Sequence, residues 1–289
     1  MAKNGRKKMK PITKQSGKEA AFTIVELLTV MSIIVILIGL LVPALNRVKR
    51  YSKEVKQKAQ FHSIDVAMEL FNAQWDGYPD SDARDETGAS YCGAMKLCEA
   101  MMGQDLLGFN PNSHFLRDAT DLYPDDPDEE NLKTRRGPYL QLENANAYTL
   151  MSIYGPATGP FTDPNSLFVL CDVYSRRMNT GNKTGMPILY YKADTSGTTH
   201  PTKDNSIHID ASTNIYDYFD NDELVGLKKP WEAGVDHILH IEPERFYENT
   251  WNKNITTTDR PYRSDSYILL SAGFDGEYGT PDDIFNFEQ

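Results

Sequence analysis

The segment that most limits what this chain can become is "FTIVELLTVMSIIVILIGLLVPAL", Phe22 to Leu45, with Glu26 as its one charge. Coiled as a helix, these residues reach about 36 Å, more than the ~30 Å hydrocarbon thickness of a bilayer. A secretory signal peptide usually has a shorter apolar core, closed by a small-residue cleavage site. No such site follows cleanly here, so the spacing predicts a single membrane-spanning helix. Pro43 sits near its far end, where a membrane helix tolerates a kink.

Charge divides the chain unevenly. Residues 1–21 hold seven Lys/Arg and one acid, Glu19, a net +6. The whole chain carries −11, which leaves −17 on residues 22–289. So acidic a body repels phosphate backbones, and no nucleic-acid partner is expected. Orientation in a membrane is not set by charge alone, because Arg47, Lys49, Arg50, Lys53, Lys56 and Lys58 follow the span as closely as the leader precedes it. Three cysteines, Cys92, Cys98 and Cys171, make no disulfide framework and read as buried apolar thiols.

Ala21, Phe22, Thr23, Ile24, Val25 and Glu26, set after a short basic leader and opening an apolar helix, resemble the processing site of type IV prepilins and type II secretion pseudopilins. Pro43 falls at the twenty-second position of the implied mature chain, where that family commonly has a proline. One departure is Ala21, where the family usually has glycine; alanine is still small. The resemblance implies a leader over 1–21, a transmembrane and assembly helix over 22–45, an amphipathic continuation over 46–76 and a periplasmic domain over 77–289. It further implies cleavage between Ala21 and Phe22 by a prepilin peptidase, methylation of the new amine, and anchoring in the inner membrane. Self-assembly into a filament on a type II secretion inner-membrane platform would follow. Glu26 lies one helical turn, ~6 Å, from the freed Phe22 amine, and in a filament it would pair with a neighbour's amine. Alternatively, Glu26 lies near the interface and snorkels into water.

The helical period continues past the span. Leu45, Val48, Tyr51, Val55, Ala59, His62, Val66 and Leu70 recur every three or four residues, and "DGYPDS" (76–81) stops the helix near Trp75. This stripe is expected to pack on the domain, with Lys53, Lys56, Lys58 and Gln60 on other faces. A helix is expected within "CGAMKLCEAMMGQDLLGF" (92–109), and strands in "SLFVLCDVY" (166–174), "MPILYYKA" (186–193) and "SYILLSAG" (266–273). The long segments 80–135 and 194–265 read as loop insertions. The expected fold is α+β: a long N-terminal helix on a small antiparallel sheet, pilin-like with large insertions.

No enzyme is expected, since no phosphate-binding glycine loop, nucleophile elbow or His-Glu-x-x-His pattern is present. In "DHILH" (236–240), His237 and His240, with Glu242 nearby, form only a weak metal-ligating pair. The C-terminal "SAGFDGEYGTPDDIFNF" (271–287) is more informative. Asp275, Glu277, Asp282 and Asp283 crowd among Gly273, Gly276 and Gly279, with Ser271 and Thr280 adding hydroxyls. All-oxygen donors on a flexible loop suit Ca²⁺, though the spacing is not that of an EF-hand and a solvated acidic turn is the simpler alternative. The stretch also resembles the C-terminal calcium loop of the major pseudopilin, Ser-x-Gly-x-Asp-Gly followed by Gly-Thr-x-Asp-Asp-Ile. That resemblance implies a calcium loop over 271–284, with Ser271, Asp275, Asp282 and Asp283 as side-chain ligands and backbone carbonyls near Glu277 and Tyr278 completing the shell. Two other readings stay open at this stage: a type IV pilus pilin or minor pilin, and a membrane-anchored periplasmic binding protein on a pilin-like stalk.

Overall fold

A computed structural model describes residues 23–201 and 212–287. The two sides of the implied cleavage site, Ala21 and Phe22, therefore lie outside the described residues. Helix α1 runs from Ile24 to Trp75 without interruption at Pro43. Among the described residues, seven shorter α-helices follow: α2 (Gly93–Met102), α3 (Glu129–Thr134), α4 (Leu142–Ala145), α5 (Leu150–Tyr154), α6 (Asp222–Val225), α7 (Ile238–Ile241) and α8 (Glu244–Thr250). The strands are β1 (Ala147–Thr149), β2 (Phe168–Leu170), β3 (Arg176–Arg177), β4 (Lys183–Thr184), β5 (Leu189–Lys192), β6 (Tyr267–Ser271) and β7 (Ile284–Phe285). The architecture is α+β with small antiparallel sheets.

The chain divides into two units between Lys49 and Arg50. In the first, every described residue is exposed, the whole apolar run included. This helix is long and apolar enough to cross a membrane. The second unit is built around the sheet β5-β6-β7, in which β6 is the central strand. Leu189 faces Leu270 and Lys192 faces Tyr267 across the first pair, and Ser271 faces Ile284 across the second. The strands expected over 186–193 and 266–273 thus pair directly. The one expected over 166–174 instead joins β1, with Tyr148 opposite Val169, and reaches the main sheet only through a bridge from Cys171 to Pro187.

Both faces of the main sheet are buried, and the two-residue period of a strand sorts its side chains between them. Tyr190, Tyr267 and Leu269 join one cluster, which holds the Phe61, Ile64, Met68 and Phe71 ridge of α1. Leu189, Tyr191, Ile268 and Leu270 join the other, with Tyr216, Leu224, Phe246 and Tyr247. Tyr216, Leu224, Phe246 and Tyr247 come from the 194–265 segment, so its described part is not only a surface loop: it packs on one face of the sheet together with residues of α2, α5 and β2. All of α2 is buried, sending Met95 into one cluster and Leu97 and Met101 into the other. The three cysteines are buried and free.

The face that α1 buries is not the stripe expected from its period. Tyr51, Val55, Val66 and Leu70 are exposed, as are Ala59 and His62. Buried instead are Gln57, Gln60, Phe61, Ile64, Ala67, Met68 and Phe71. Larger rings and methionines on that side offer more area to remove from water. One end of each of the two glutamines on that face is taken up by backbone. Gln60 Nε2 donates to the Cys171 carbonyl at 2.9 Å and the Asn144 carbonyl at 3.1 Å, and Gln57 Oε1 accepts the Val173 N–H at 2.9 Å. They satisfy carbonyl and N–H groups at a strand end that the ladder leaves unpaired.

Candidate functional site

Two places carry the residues singled out from sequence, one in each unit. At the start of α1, Glu26 Oε2 accepts the Thr23 N–H at 2.9 Å and the Thr23 hydroxyl at 2.8 Å, while the Glu26 N–H donates to Thr23 Oγ1 at 3.2 Å. This is a reciprocal capping box, in which a Thr and a Glu three residues later satisfy each other's otherwise orphaned N–H groups. The pattern Thr-x-x-Glu ahead of an apolar run was legible in the sequence, and the Thr23 partnership was missed there. It offers a local reason for the carboxylate: a helix start in an apolar setting has free N–H donors and a positive dipole end, and Glu26 answers both.

The acidic loop, residues 272–283, connects β6 to β7, so its ends are pinned by sheet pairing on both sides. Gly273 (φ 64°), Gly276 (φ 72°) and Gly279 (φ 92°) let it fold back tightly. Asp275 and Asp282 are brought together: the Asp275 N–H donates to Asp282 Oδ2 at 3.0 Å, and Thr280 Oγ1 donates to Asp282 Oδ1 at 2.7 Å. Asp283 turns inward, with Oδ2 accepting the Gly279 N–H at 2.8 Å and Oδ1 buried without a hydrogen-bond partner. Ser271 is turned away: its hydroxyl donates to Asp172 Oδ2 at 3.0 Å. Glu277 is paired with Lys229 at 2.8 Å.

Electrostatics mark the loop as a place short of positive charge. Burial, then the neighbouring Asp282 carboxylate, push Asp275 above the usual carboxylate range. Burial opposes ionisation of Asp282 too, but the Asp275 side chain, the Thr280 hydroxyl and backbone N–H groups outweigh it and hold Asp282 low. Burial, with Asp275 and Asp282 adding to it, raises Asp283 well above its ordinary value. Asp172, missed from sequence, is buried among apolar strand residues and pushed up to about 7 by that burial. A lone carboxylate inside "FVLCDVY" was the available signal.

As a donor set for a hard cation, the loop fits in kind: every group is oxygen, one buried carboxylate oxygen of Asp283 is orphaned, and Asp275 and Asp282 lie side by side, tied by the Asp275 N–H. Among the described residues, however, no three His, Cys, Asp or Glu side chains are grouped as a metal centre. The carboxylates lie side by side without forming a cage. Asp275, Asp282 and Asp283 are the residues that would hold the ion, and Ser271 would have to leave Asp172 to join them.

The weak His237–His240 pair is also accounted for. His237 Nδ1 accepts the Tyr278 N–H at 3.3 Å, whereas His240 Nδ1 meets Asp222 Oδ1 at 2.9 Å. Their rings serve different partners. Burial holds His237 down to about 3 and His200 down to about 4, so both are neutral in the folded chain. Unfolding releases them to values near 6.5, so below that pH the unfolded state binds more protons. The stability that each neutral histidine contributes is therefore lost as pH drops from 6.5 toward 4, by roughly 3 kcal/mol per histidine at the limit, while Asp172, Asp275 and Asp283, raised in the folded chain, act in the opposite direction over the same range. Thermal melts across this range test it. Relative to wild type, His237→Gln should gain stability as pH drops through this range, and parallel pH profiles for the two proteins would contradict the assignment.

Against family models, curated proteins and solved structures, the chain finds no match.

Proposed function

We propose that this chain is a structural subunit of a pilin-like filament, of the type II secretion pseudopilus kind, and not an enzyme. The observation that carries the reading is the first unit of α1: a helix able to cross a bilayer, wholly exposed along its apolar length, opening on the Thr23–Glu26 capping box next to the implied cleavage point. Such a surface needs lipid, then copies of itself, to cover it. Further support comes from the exposed face of α1 beyond the span. Its Tyr51, Val55, Val66 and Leu70 stand opposite the buried ridge and give a second apolar side to helix packing between subunits.

In this reading the protein is held in the inner membrane with its second unit in the periplasm. A prepilin peptidase cuts before Phe22 and methylates it, and filament growth lifts exported proteins. Mass analysis of the N-terminus in membrane-extracted protein tests processing. A methylated Phe22 terminus is expected, and finding only chains that retain the leader while the peptidase is present would end the proposal.

The second element is calcium at the 272–283 loop. The ion would neutralise the Asp275, Asp282 and Asp283 carboxylates and pin the β6–β7 connection. Ligand that binds only the folded state adds about 2.7 kcal/mol at a hundredfold excess over Kd. For a domain of this size that corresponds to roughly 5–10 °C in melting midpoint. Full-length protein in detergent micelles should lose that increment in EDTA and regain it with Ca²⁺ but not with Mg²⁺ at equal concentration; a midpoint indifferent to chelation would remove calcium from the reading.

A further inference from the structure

Arg176 lies in β3, on the hairpin it forms with β4, and that hairpin delivers its guanidinium to the acidic loop. The group stacks over the Trp231 ring, 4.0 Å from its centroid, and Nη2 donates to the Phe274 carbonyl at 3.2 Å. The loop backbone runs against it at Gly276: a Cβ there would sit 3.1 Å from the guanidinium carbon and 3.1 Å from Trp231. Glycine at φ 72° allows that approach, and a side chain would not.

Among the described residues, no carboxylate oxygen comes within 4 Å of Arg176, in contrast with Lys229, which is committed to Glu277. Arg176 thus stands beside the loop with its charge unspent on a direct ion pair. Asp275, Asp172 and Asp282 are the negative neighbours that act on it, in that order, while burial works against its charge. Cation stacking on an indole face is worth most when the cation is partly desolvated, as here, so the ring holds the guanidinium in place without neutralising it.

We propose that Arg176 is the loop's internal counter-cation: it supplies positive charge to the Asp275–Asp282 pair when no metal is present, and it opposes a divalent cation that binds there. The inference rests on the calcium reading above and adds what sets the affinity of that site. A chain with Arg176 keeps its loop closed without the ion and takes the ion less tightly, because the two positive charges repel at short range. A unit charge acting at ~6 Å on a divalent ion through water-like screening changes affinity on the order of tenfold.

The test is calorimetric titration of Ca²⁺ into metal-free full-length protein in detergent micelles, for wild type, Arg176→Gln and Arg176→Lys. Circular dichroism melts in saturating Ca²⁺ confirm that each is folded. Arg176→Gln should bind about tenfold more tightly and melt earlier than wild type in EDTA. Arg176→Lys keeps the charge and should stay within a fewfold of wild-type affinity. If wild type binds and folded Arg176→Gln binds no more tightly, the counter-cation role is overturned and the calcium reading survives. If neither binds at millimolar Ca²⁺, both fall together. Binding by Arg176→Gln alone would support the inference and remove calcium as a resident ion of the wild type.

Discussion

Glu26→Ala should be cut and methylated like wild type yet enter filaments at less than a tenth of its yield. The carboxylate has two claims on it. Within one chain it closes the capping box with Thr23, an arrangement whose loss typically costs about 0.5–2 kcal/mol. Between chains, on the filament proposal, it answers the ammonium of a neighbour's Phe22, which offsets the roughly 2.5–3.5 kcal/mol that an uncompensated carboxylate costs in hydrocarbon. Glu26→Gln separates the two. The amide oxygen can still accept the Thr23 N–H, so the capping box survives, but the charge is gone. If capping is the whole role of Glu26, Glu26→Gln assembles and Thr23→Ala fails. If charge pairing is the role, Glu26→Gln fails as badly as Glu26→Ala, and Thr23→Ala loses only a fraction of its yield. Sedimentation of sheared filaments with an immunoblot for the subunit gives the yields. Normal assembly of Glu26→Ala would sink the pairing idea.

Gly273→Ala is expected to be the most damaging single methyl group in the second unit. Gly273 has φ 64°, and a Cβ built on it would lie 2.0 Å from the Asp282 carbonyl oxygen. That obstacle is backbone, held by the β6–β7 pairing, so it cannot swing aside as a side chain would. Left-handed strain contributes about 1–2 kcal/mol and the overlap a further 1–3 kcal/mol. The melting midpoint should drop by roughly 5–15 °C. Gly181→Ala is the control: its φ is 90°, but nothing lies within 4 Å of the added atom, so only the strain is incurred. Should the two variants melt alike, the close approach of loop strands at Gly273 is not what holds the connection shut. Gly273→Ala should also abolish any Ca²⁺-induced rise, because Asp275 and Asp282 can no longer be brought side by side.

The sequence was most legible where one local rule ruled alone. The apolar run, the stop at "DGYPDS" and the paired strands over 186–193 and 266–273 follow from length, period and turn residues, and all of them appear in the structure. It was misleading on α1 between residues 51 and 70, where two apolar stripes of similar length run along one helix. Period alone favoured Tyr51, Val55 and Val66; the sheet took Phe61, Ile64, Met68 and Phe71, because Gln57 and Gln60 had backbone partners waiting on that side. The 194–265 segment looked like surface because its polar and turn residues break every period. Its Tyr216, Tyr218, Phe246 and Tyr247 are nonetheless core, each phenol finding a polar partner inside.

At the site, the acidic residues and glycines could be named in advance, since a crowded set of carboxylates is visible in any sequence. Arg176 and Trp231 could not, because each reaches the loop from a distant part of the chain, and Asp172 showed only as a lone carboxylate in an apolar run. What the sequence determined by itself is therefore local: a helix long enough to cross a membrane, its capped start, its end, and a loop of oxygen donors. What only the tertiary structure decided is which face of that helix is buried and which charges stand opposite the loop. Helical and strand periods are properties of neighbours along the chain. Burial and charge balance depend on segments more than a hundred residues apart arriving at the same place, as Gln60 and Cys171 do.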